Sequence, residues 1–297
     1  MYRLRQSLSV AGYNFRMWHK NPRIIVVFAL AFVLCFLLSD KVVRFSYEQG
    51  TTMQIVEAFV WTFGDSNSIL LSSLLLVLLF ADMPFLTSGT PFYLVRINRK
   101  TWLLGQAMYV VAATFLYMLF VLVATSVICM ANSFAGNMWS ETAAILGYST
   151  ASEAIAIPAL VKTLEMSRPY VSMATIFGLM LCYTLLMVFI MLFFNIKKGQ
   201  AWGVASVFGF GLYGFLLNPQ LFKTILNLSE KTMYRANVIV GWISPLNQAT
   251  YHMHNFGYDL LPRMWMTFAI FGVLIIGLFL LTLRAMRRYN FNFRGAE

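Results

Sequence analysis

The stretch YVSMATIFGLMLCYTLLMVFIMLFF, residues 170–194, decides the fold class of this chain. It follows Pro169, contains no Lys, Arg, Asp or Glu, and exceeds the length of about 20 apolar residues that a helix needs to cross a bilayer. Apolar residues do not alternate with polar ones, which disfavours a β-barrel strand. Because backbone polar groups in lipid must pair within their own segment, we predict a transmembrane α-helix.

Five other segments are also predominantly apolar and have no charged residue at their centre. The six predicted spans are residues 24–39, 66–86, 107–130, 170–194, 201–217 and 265–283. The first is short, but Arg23 and Lys41 flank it, and their long side chains can reach the polar interface. Since no internal repeat or low-complexity region occurs, we predict a single all-α polytopic membrane domain over residues 1–297, with six transmembrane helices.

The composition of the whole chain agrees with this fold class. Of the 297 residues, 60% are hydrophobic and 11% are charged, whereas soluble globular domains have about 25% charged residues. This difference excludes an ordinary water-soluble domain, a disordered chain and a coiled coil. The three cysteines, an odd and small number, indicate no disulfide framework.

The distribution of charge predicts the orientation of the chain. An even number of spans places both termini on one side, and that side receives 14 Lys and Arg residues against two acidic residues. The other side receives 8 basic and 9 acidic residues. Because excess Lys and Arg marks the cytoplasm, we predict that both termini are cytoplasmic and that the chain is a multi-pass protein of the cytoplasmic membrane. The basic rim then lies beside the anionic lipid bilayer, and nucleic-acid binding is not needed to explain the net charge of +11.

The segment before the first span, residues 1–22, predicts a helix lying in the membrane interface. Apolar residues recur along one face at spacings of three and four: Leu4, Leu8, Ala11, Phe15 and Trp18. The alternative is a frayed basic tail.

The loop between the second and third spans contains the signature of a short helix. Thr90 is a good N-cap, Pro91 fits the first helical position, and Asn98 suits the left-handed conformation of a C-cap. Between them lie five apolar residues, Phe92, Tyr93, Leu94, Val95 and Ile97. So much apolar surface in a loop predicts burial, either against the ends of the chain's own helices or against a partner.

The fifth predicted span is rich in glycine. Gly199 and Gly203 form a G-x-x-x-G pattern, and Gly209 continues the spacing of small residues that lets helices approach closely. The face packs either within the chain or against a second copy. On the same span, Phe208, Phe210 and Tyr213 either line a substrate path or face lipid.

Motifs of catalysis and nucleotide binding are absent from the sequence. There is no G-x-x-x-x-G-K-[ST] phosphate loop, no H-E-x-x-H and no G-x-S-x-G. His252 and His254 are spaced for metal binding on an extended backbone, but no third ligand is evident nearby, so a polar loop is the alternative. We therefore predict no catalytic, cofactor or metal site on this chain.

Two short motifs carry a resemblance to a known family. Gly89-Thr90 leads the short helix into a basic turn at Asn98-Arg99, and Gly105 opens the third span after Trp102-Leu103-Leu104. Ser244-Pro245-Leu246 precedes the last span. In these residues, and in the order of its segments, the chain resembles the ABC-2 family of ATP-binding-cassette (ABC) transporter permeases.

The resemblance implies a function. Permeases of this family pair with a second copy or a homologous permease and bind cytoplasmic ABC ATPase subunits, which hold the ATP and Mg²⁺ and drive export. It implies that the short loop helix is the coupling helix, with docking residues Thr90, Pro91, Phe92, Tyr93, Leu94, Arg96 and Arg99. The expected substrate is amphiphilic: a peptide, an antibiotic or a lipid-like molecule. A non-transporting membrane scaffold or sensor is the alternative, and an intramembrane enzyme fits less well.

Overall fold

The computed structural model describes residues 2–85, 90–149, 161–217, 224 and 233–289, and these residues are predominantly helical. The helices before the third predicted span are α1 Tyr2–Arg16, α2 Pro22–Gln49, α3 Glu57–Phe63, α4 Ser66–Phe80 and α5 Thr90–Arg96. The middle of the chain forms α6 Arg99–Cys129, α7 Glu141–Tyr148, α8 Val161–Met166, α9 Pro169–Lys198 and α10 Gln200–Leu216. The last helices are α11 Met233–Ile243, α12 Pro245–Ala249 and α13 Met264–Met286. Two strands of two residues each, β1 Met53–Gln54 and β2 Ser133–Phe134, pair in parallel.

Within the described residues, four helices are long and apolar enough to cross a membrane: α2, α6, α9 and α13. They correspond to the first, third, fourth and sixth predicted spans, so the prediction of an all-α multi-pass membrane protein is confirmed. α2 continues beyond the predicted end at residue 39, because Asp40 and Arg44 pair one turn apart and Gly50 closes the helix with a φ of 65°.

The other two predicted spans form shorter helices. α4 covers 15 residues and meets α3 at 90°, so that the pair is either one broken span or a re-entrant hairpin. At the break, the side chain of Asp65 caps α4 by accepting a hydrogen bond from the backbone N–H of Asn67 at 3.0 Å. α10 covers 17 residues. The end of the predicted second span, residue 86, lies outside the described residues.

α9 is the central helix of the fold. It packs against α3, α4, α6, α10 and α13, and 67% of its most apolar segment is buried. The corresponding fractions for α2 and α13 are 22% and 17%. The exposed surfaces of those two helices are apolar, which fits contact with lipid.

α1 forms the predicted N-terminal helix, and the predicted apolar face is buried only in part: Ala11 is buried, and Phe15 and Trp18 pack against the core. Leu4 and Leu8 are exposed, whereas Ser7, Val10 and Asn14 pack against α6. The hydroxyl of Ser7 donates to the carbonyl of Thr101 at 2.9 Å, and the Asn14 amide donates to Gln106 at 2.9 Å. Ser7 and Asn14 are buried because α6 offers them hydrogen-bond partners, and the two leucines lie on the outer surface.

Polar contacts join the helix ends on each side of the bundle. On the side of the N-terminus, the carboxylate of Asp82 accepts from Arg23 and Gln200, and so links the ends of α2, α4 and α10. On the opposite side, the buried carboxylate of Glu57 accepts from the backbone N–H of Ser140 at 2.8 Å and from its hydroxyl at 2.6 Å. These contacts fix the loops at the two ends of the bundle.

Candidate functional site

The short helix α5 combines a buried edge with an exposed one. Thr90 is 2% exposed, and Leu94 and Ile97 pack against the core. Val95 is 88% exposed and Arg96 is also exposed. The side chains of Phe92 and Tyr93 lie outside the described residues, and Pro91 is half-buried in the first turn. The bundle therefore holds α5 in place while Val95 and Arg96 project from its surface.

The predicted C-cap at Asn98 is wrong. Its backbone is extended, with φ −68° and ψ 146°, and it is the N-cap residue of α6. A residue in the left-handed conformation ends a helix, whereas the residue just before a helix needs an extended backbone. Only Ile97 and Asn98 separate α5 from α6. Asn98 therefore adopts the extended backbone that the start of the longer helix, α6, requires.

Arg99 anchors the loop to the last helix. Its guanidinium Nη1 donates to the carbonyl oxygen of Tyr289 at 3.1 Å, just beyond the end of α13. The resemblance to ABC-2 permeases implies a docking role for Arg99, and the structure adds this contact within the chain. The start of α6 and the end of α13 thus lie together.

The three glycines of the predicted packing face have three different environments. Gly199 joins α9 to α10 with a φ of 100°, a conformation that favours glycine, and no atom lies within 4 Å of a Cβ placed there. A Cβ on Gly203 would lie 1.6 Å from Oδ1 of Asn195, so Gly203 serves packing between α9 and α10. A Cβ on Gly209 would meet nothing within 4 Å. Gly199 and Gly209 therefore have open space beside them, and Gly209 is the one of the two that lies within α10.

The three aromatic residues predicted for a substrate path do not converge. Phe208 is exposed, whereas the ring of Phe210 stacks on Tyr183 with centroids 5.8 Å apart. Tyr213 is partly exposed, and its hydroxyl lies 3.4 Å from the carbonyl of Ile243. Residues 208 and 210 lie about 200° apart around a helix, which explains the divergence.

His254 and His252 lie in a polar cluster opposite the N-terminal side. His254 is fully buried, and its Nδ1 lies 3.0 Å from the carbonyl of Thr250 while its Nε2 lies 3.0 Å from the hydroxyl of Thr267. Burial lowers the pKa of His254 below its ordinary value, and the nearby Lys162 acts in the same direction. Both ring nitrogens therefore serve hydrogen bonds within the chain. Among the described residues, no group of three His, Cys, Asp or Glu is arranged to hold a metal.

A large apolar groove between α6 and α13 was missed by the sequence analysis. Its volume is about 840 Å³, and Phe189 of α9 lies at its base. The two helices contribute an almost purely apolar lining that includes Leu104, Val111, Phe115, Ile276 and Phe279. The spacing of three and four residues on α6 was visible in the sequence, but it does not show that α13 stands apart from α6.

Comparisons of the chain with protein-family models, curated proteins and solved structures gave no match. The resemblance in residues 89–105 and 244–246 to ABC-2 permeases therefore remains a hypothesis, and the arguments that follow rest on this chain's own residues.

Proposed function

We propose that this chain is the membrane-spanning permease subunit of an ATP-driven ABC exporter. It works with a separate cytoplasmic ATPase subunit and with a second permease copy or a homologue. Its substrate is amphiphilic, a peptide, an antibiotic or a lipid-like molecule. The absence of a phosphate-binding loop from the sequence supports a division of labour in which the partner hydrolyses ATP.

The proposal includes a topology of six spans, with α4 and α10 as the second and fifth and with both termini in the cytoplasm. The bias of Lys and Arg towards the side of the termini supports it. The contacts of Asp82 with Arg23 and Gln200 also support it, because they bring the ends of three proposed spans to that side.

The observation that carries the proposal is the form of α5. Leu94 and Ile97 hold the helix on the bundle, while Val95 presents an apolar side chain to the outside with Arg96 beside it. An exposed apolar residue on an anchored helix is suited to a pocket on a partner, and motion of the partner would pass directly to α6 through the short link at Asn98.

The test is reconstitution of the purified chain in liposomes with candidate ABC ATPase subunits from the same organism. The chain alone should show no ATP turnover, and the complex should hydrolyse ATP. Val95→Asp should reduce binding of the ATPase by at least about fivefold, because a charge would enter an apolar contact. Met138→Asp is the matched control, since Met138 is exposed on the opposite side of the bundle.

Two results would contradict the proposal. One is ATP hydrolysis by the contaminant-free chain alone. The other is equal binding of the ATPase by the wild type, Val95→Asp and a Phe92→Ala/Tyr93→Ala double variant, which would favour a scaffold or sensor.

A further inference from the structure

The groove between α6 and α13 continues into a basic mouth at one end. Next to the apolar groove lies a second cleft between the same helices, of about 640 Å³, to which α6 contributes Lys100 and α13 contributes Arg287. A third cleft adds Leu280 and Arg284 of α13. The apolar groove and the adjoining basic clefts thus lie in line between α6 and α13, and we call this combined surface the seam.

Helical geometry makes the seam continuous. On α6, Lys100, Leu104, Val111 and Phe115 are separated by four, seven and four residues, which places them on one face. On α13, the residues that line the seam follow the same spacing: Ile276, Phe279, Leu280, Leu283, Arg284 and Arg287. The basic residues lie at the start of α6 and the end of α13, where a membrane helix meets water.

The basic mouth consists of Lys100, Arg284 and Arg287 and has an unbalanced positive charge. All three side chains are exposed. The ion pairs formed by the described residues join Arg23 to Asp82, Arg44 to Asp40 and Lys162 to Asp259, and none involves the mouth. Three cations at the end of an apolar groove are complementary to an amphiphile with an anionic head.

We propose that this seam binds an anionic phospholipid. Its phosphate lies between Lys100, Arg284 and Arg287, and one acyl chain lies in the apolar groove against Phe115 and Phe279. Basic pockets between membrane helices bind anionic headgroups in this way. The helical rise from Lys100 to Phe115 is about 22 Å, which exceeds the roughly 15 Å hydrocarbon depth of one leaflet and so leaves room for the whole chain.

Charge also disfavours the alternative that a second copy covers the seam. In a two-fold symmetric contact the same surface meets itself, so the three cations of one copy would face those of the other. A lipid phosphate neutralises them instead. A soluble phosphate would occupy only the basic mouth. The apolar groove, along which Val111, Phe115 and Ile276 are exposed, would then have no occupant.

The first test compares two lipids of identical acyl chains, phosphatidylglycerol and phosphatidylcholine, by native mass spectrometry of the purified chain without any ATPase subunit. The wild type should retain phosphatidylglycerol preferentially. Lys100→Gln/Arg287→Gln should lower this preference at least about fivefold, because each basic residue near an anionic headgroup contributes about 1 kcal/mol. Arg5→Gln/Lys20→Gln removes two exposed charges on the N-terminal side outside the seam and should leave the preference unchanged.

The second test addresses the apolar part. Ala112→Trp places a large ring in the groove and should reduce retention of both lipids, whereas Leu119→Trp, outside the groove on the same helix, should not. Equal retention of the two lipids by the wild type would overturn the proposal. So would an equal loss of preference in the two charge variants, or a change in oligomeric mass in place of lipid loss. The charge variants alter exposed side chains only, so they test the proposed binding of an anionic phospholipid even if Ala112→Trp fails to fold.

Discussion

At the scale of single residues, Gly203 and Gly209 show how tertiary contacts separate two positions that look alike in the sequence. Both belong to a series of small residues on α10. The position of Gly203 is filled by Asn195, whose amide donates to the carbonyls of Ala81 and Met83 at 3.0 and 2.6 Å. Gly209 has open space beside it.

Gly203→Ala should therefore destabilise the protein by about 1–3 kcal/mol, because the new methyl group displaces Asn195 from its two carbonyls. Gly209→Ala is the matched control and should be neutral or stabilising by up to about 1 kcal/mol, since alanine is the better helix former. Thermal unfolding in detergent measures both. Equal melting temperatures for the two variants would show that Asn195 does not restrain this contact.

His254 gives a prediction about pH. Its pKa is lowered by burial, so below about pH 6.5 the unfolded chain takes up a proton that the folded imidazole resists. The contribution of neutral His254 to the stability of the surrounding loop should be fully present above pH 6.5. It should decrease as the pH falls below that value. The charged or titratable groups beside it are Lys162 and His252, and Asp259 forms an ion pair with Lys162.

Hydrogen exchange of residues 250–260 at pH 7.5 and 5.5, corrected for the intrinsic rate, measures this loosening. A His252→Gln/His254→Gln double variant should remove most of the difference between the two pH values, because burial lowers the pKa of both imidazoles. His19→Gln, an exposed position on the other side of the bundle, should retain the difference. An unchanged difference in the double variant would assign the effect to another group.

At the scale of elements, α10 has two different sides. Gly203, Gly211 and Gly214 are buried against α9, α4 and α12, where added Cβ atoms would meet Asn195, Leu70 and Leu246. The other side exposes large apolar residues around Gly209: Trp202, Phe208, Leu212, Phe215 and Leu216. The exposed side is available to lipid or to a second permease copy.

If a second copy covers this side, Gly209→Leu should reduce dimer formation without lowering the melting temperature of the protein. The bulky side chain separates helices that approach closely, and it has free space in the single chain. Cross-linking in native membranes measures the dimer fraction, with Leu212→Ile as the volume-matched control. An unchanged dimer fraction in Gly209→Leu would place the subunit contact elsewhere.

At the scale of the whole molecule, the proposed orientation predicts which loops an impermeant reagent reaches in intact cells. Single cysteines at Met138 and Tyr258 should react with a membrane-impermeant maleimide, whereas one at Val95 should react only after the cells are opened. All three positions are exposed, so accessibility does not bias the comparison. Cys35, Cys129 and Cys182 are replaced by serine beforehand. Labelling of Val95→Cys in intact cells would reverse the orientation.

The sequence by itself determined the class of fold, because apolar length is a local property. Residues 170–194 and three other predicted spans lie in long helices, and the short helix at Thr90–Arg96 was predicted from its local signals. The predicted start of the second span, residue 66, is the first residue of α4, whereas the short helix α3 before it was not predicted. The sequence also placed the basic residues near the helix ends.

Only the tertiary structure decided which faces meet. The outward position of Leu4 and Leu8 depends on hydrogen bonds from Ser7 and Asn14 to α6, which lies about 90 residues away in the chain. In the same way, the groove exists because α9 holds α6 and α13 apart. In lipid the hydrophobic effect does not select between apolar faces, so close packing and hydrogen bonds between distant segments make the choice, and no local pattern records them.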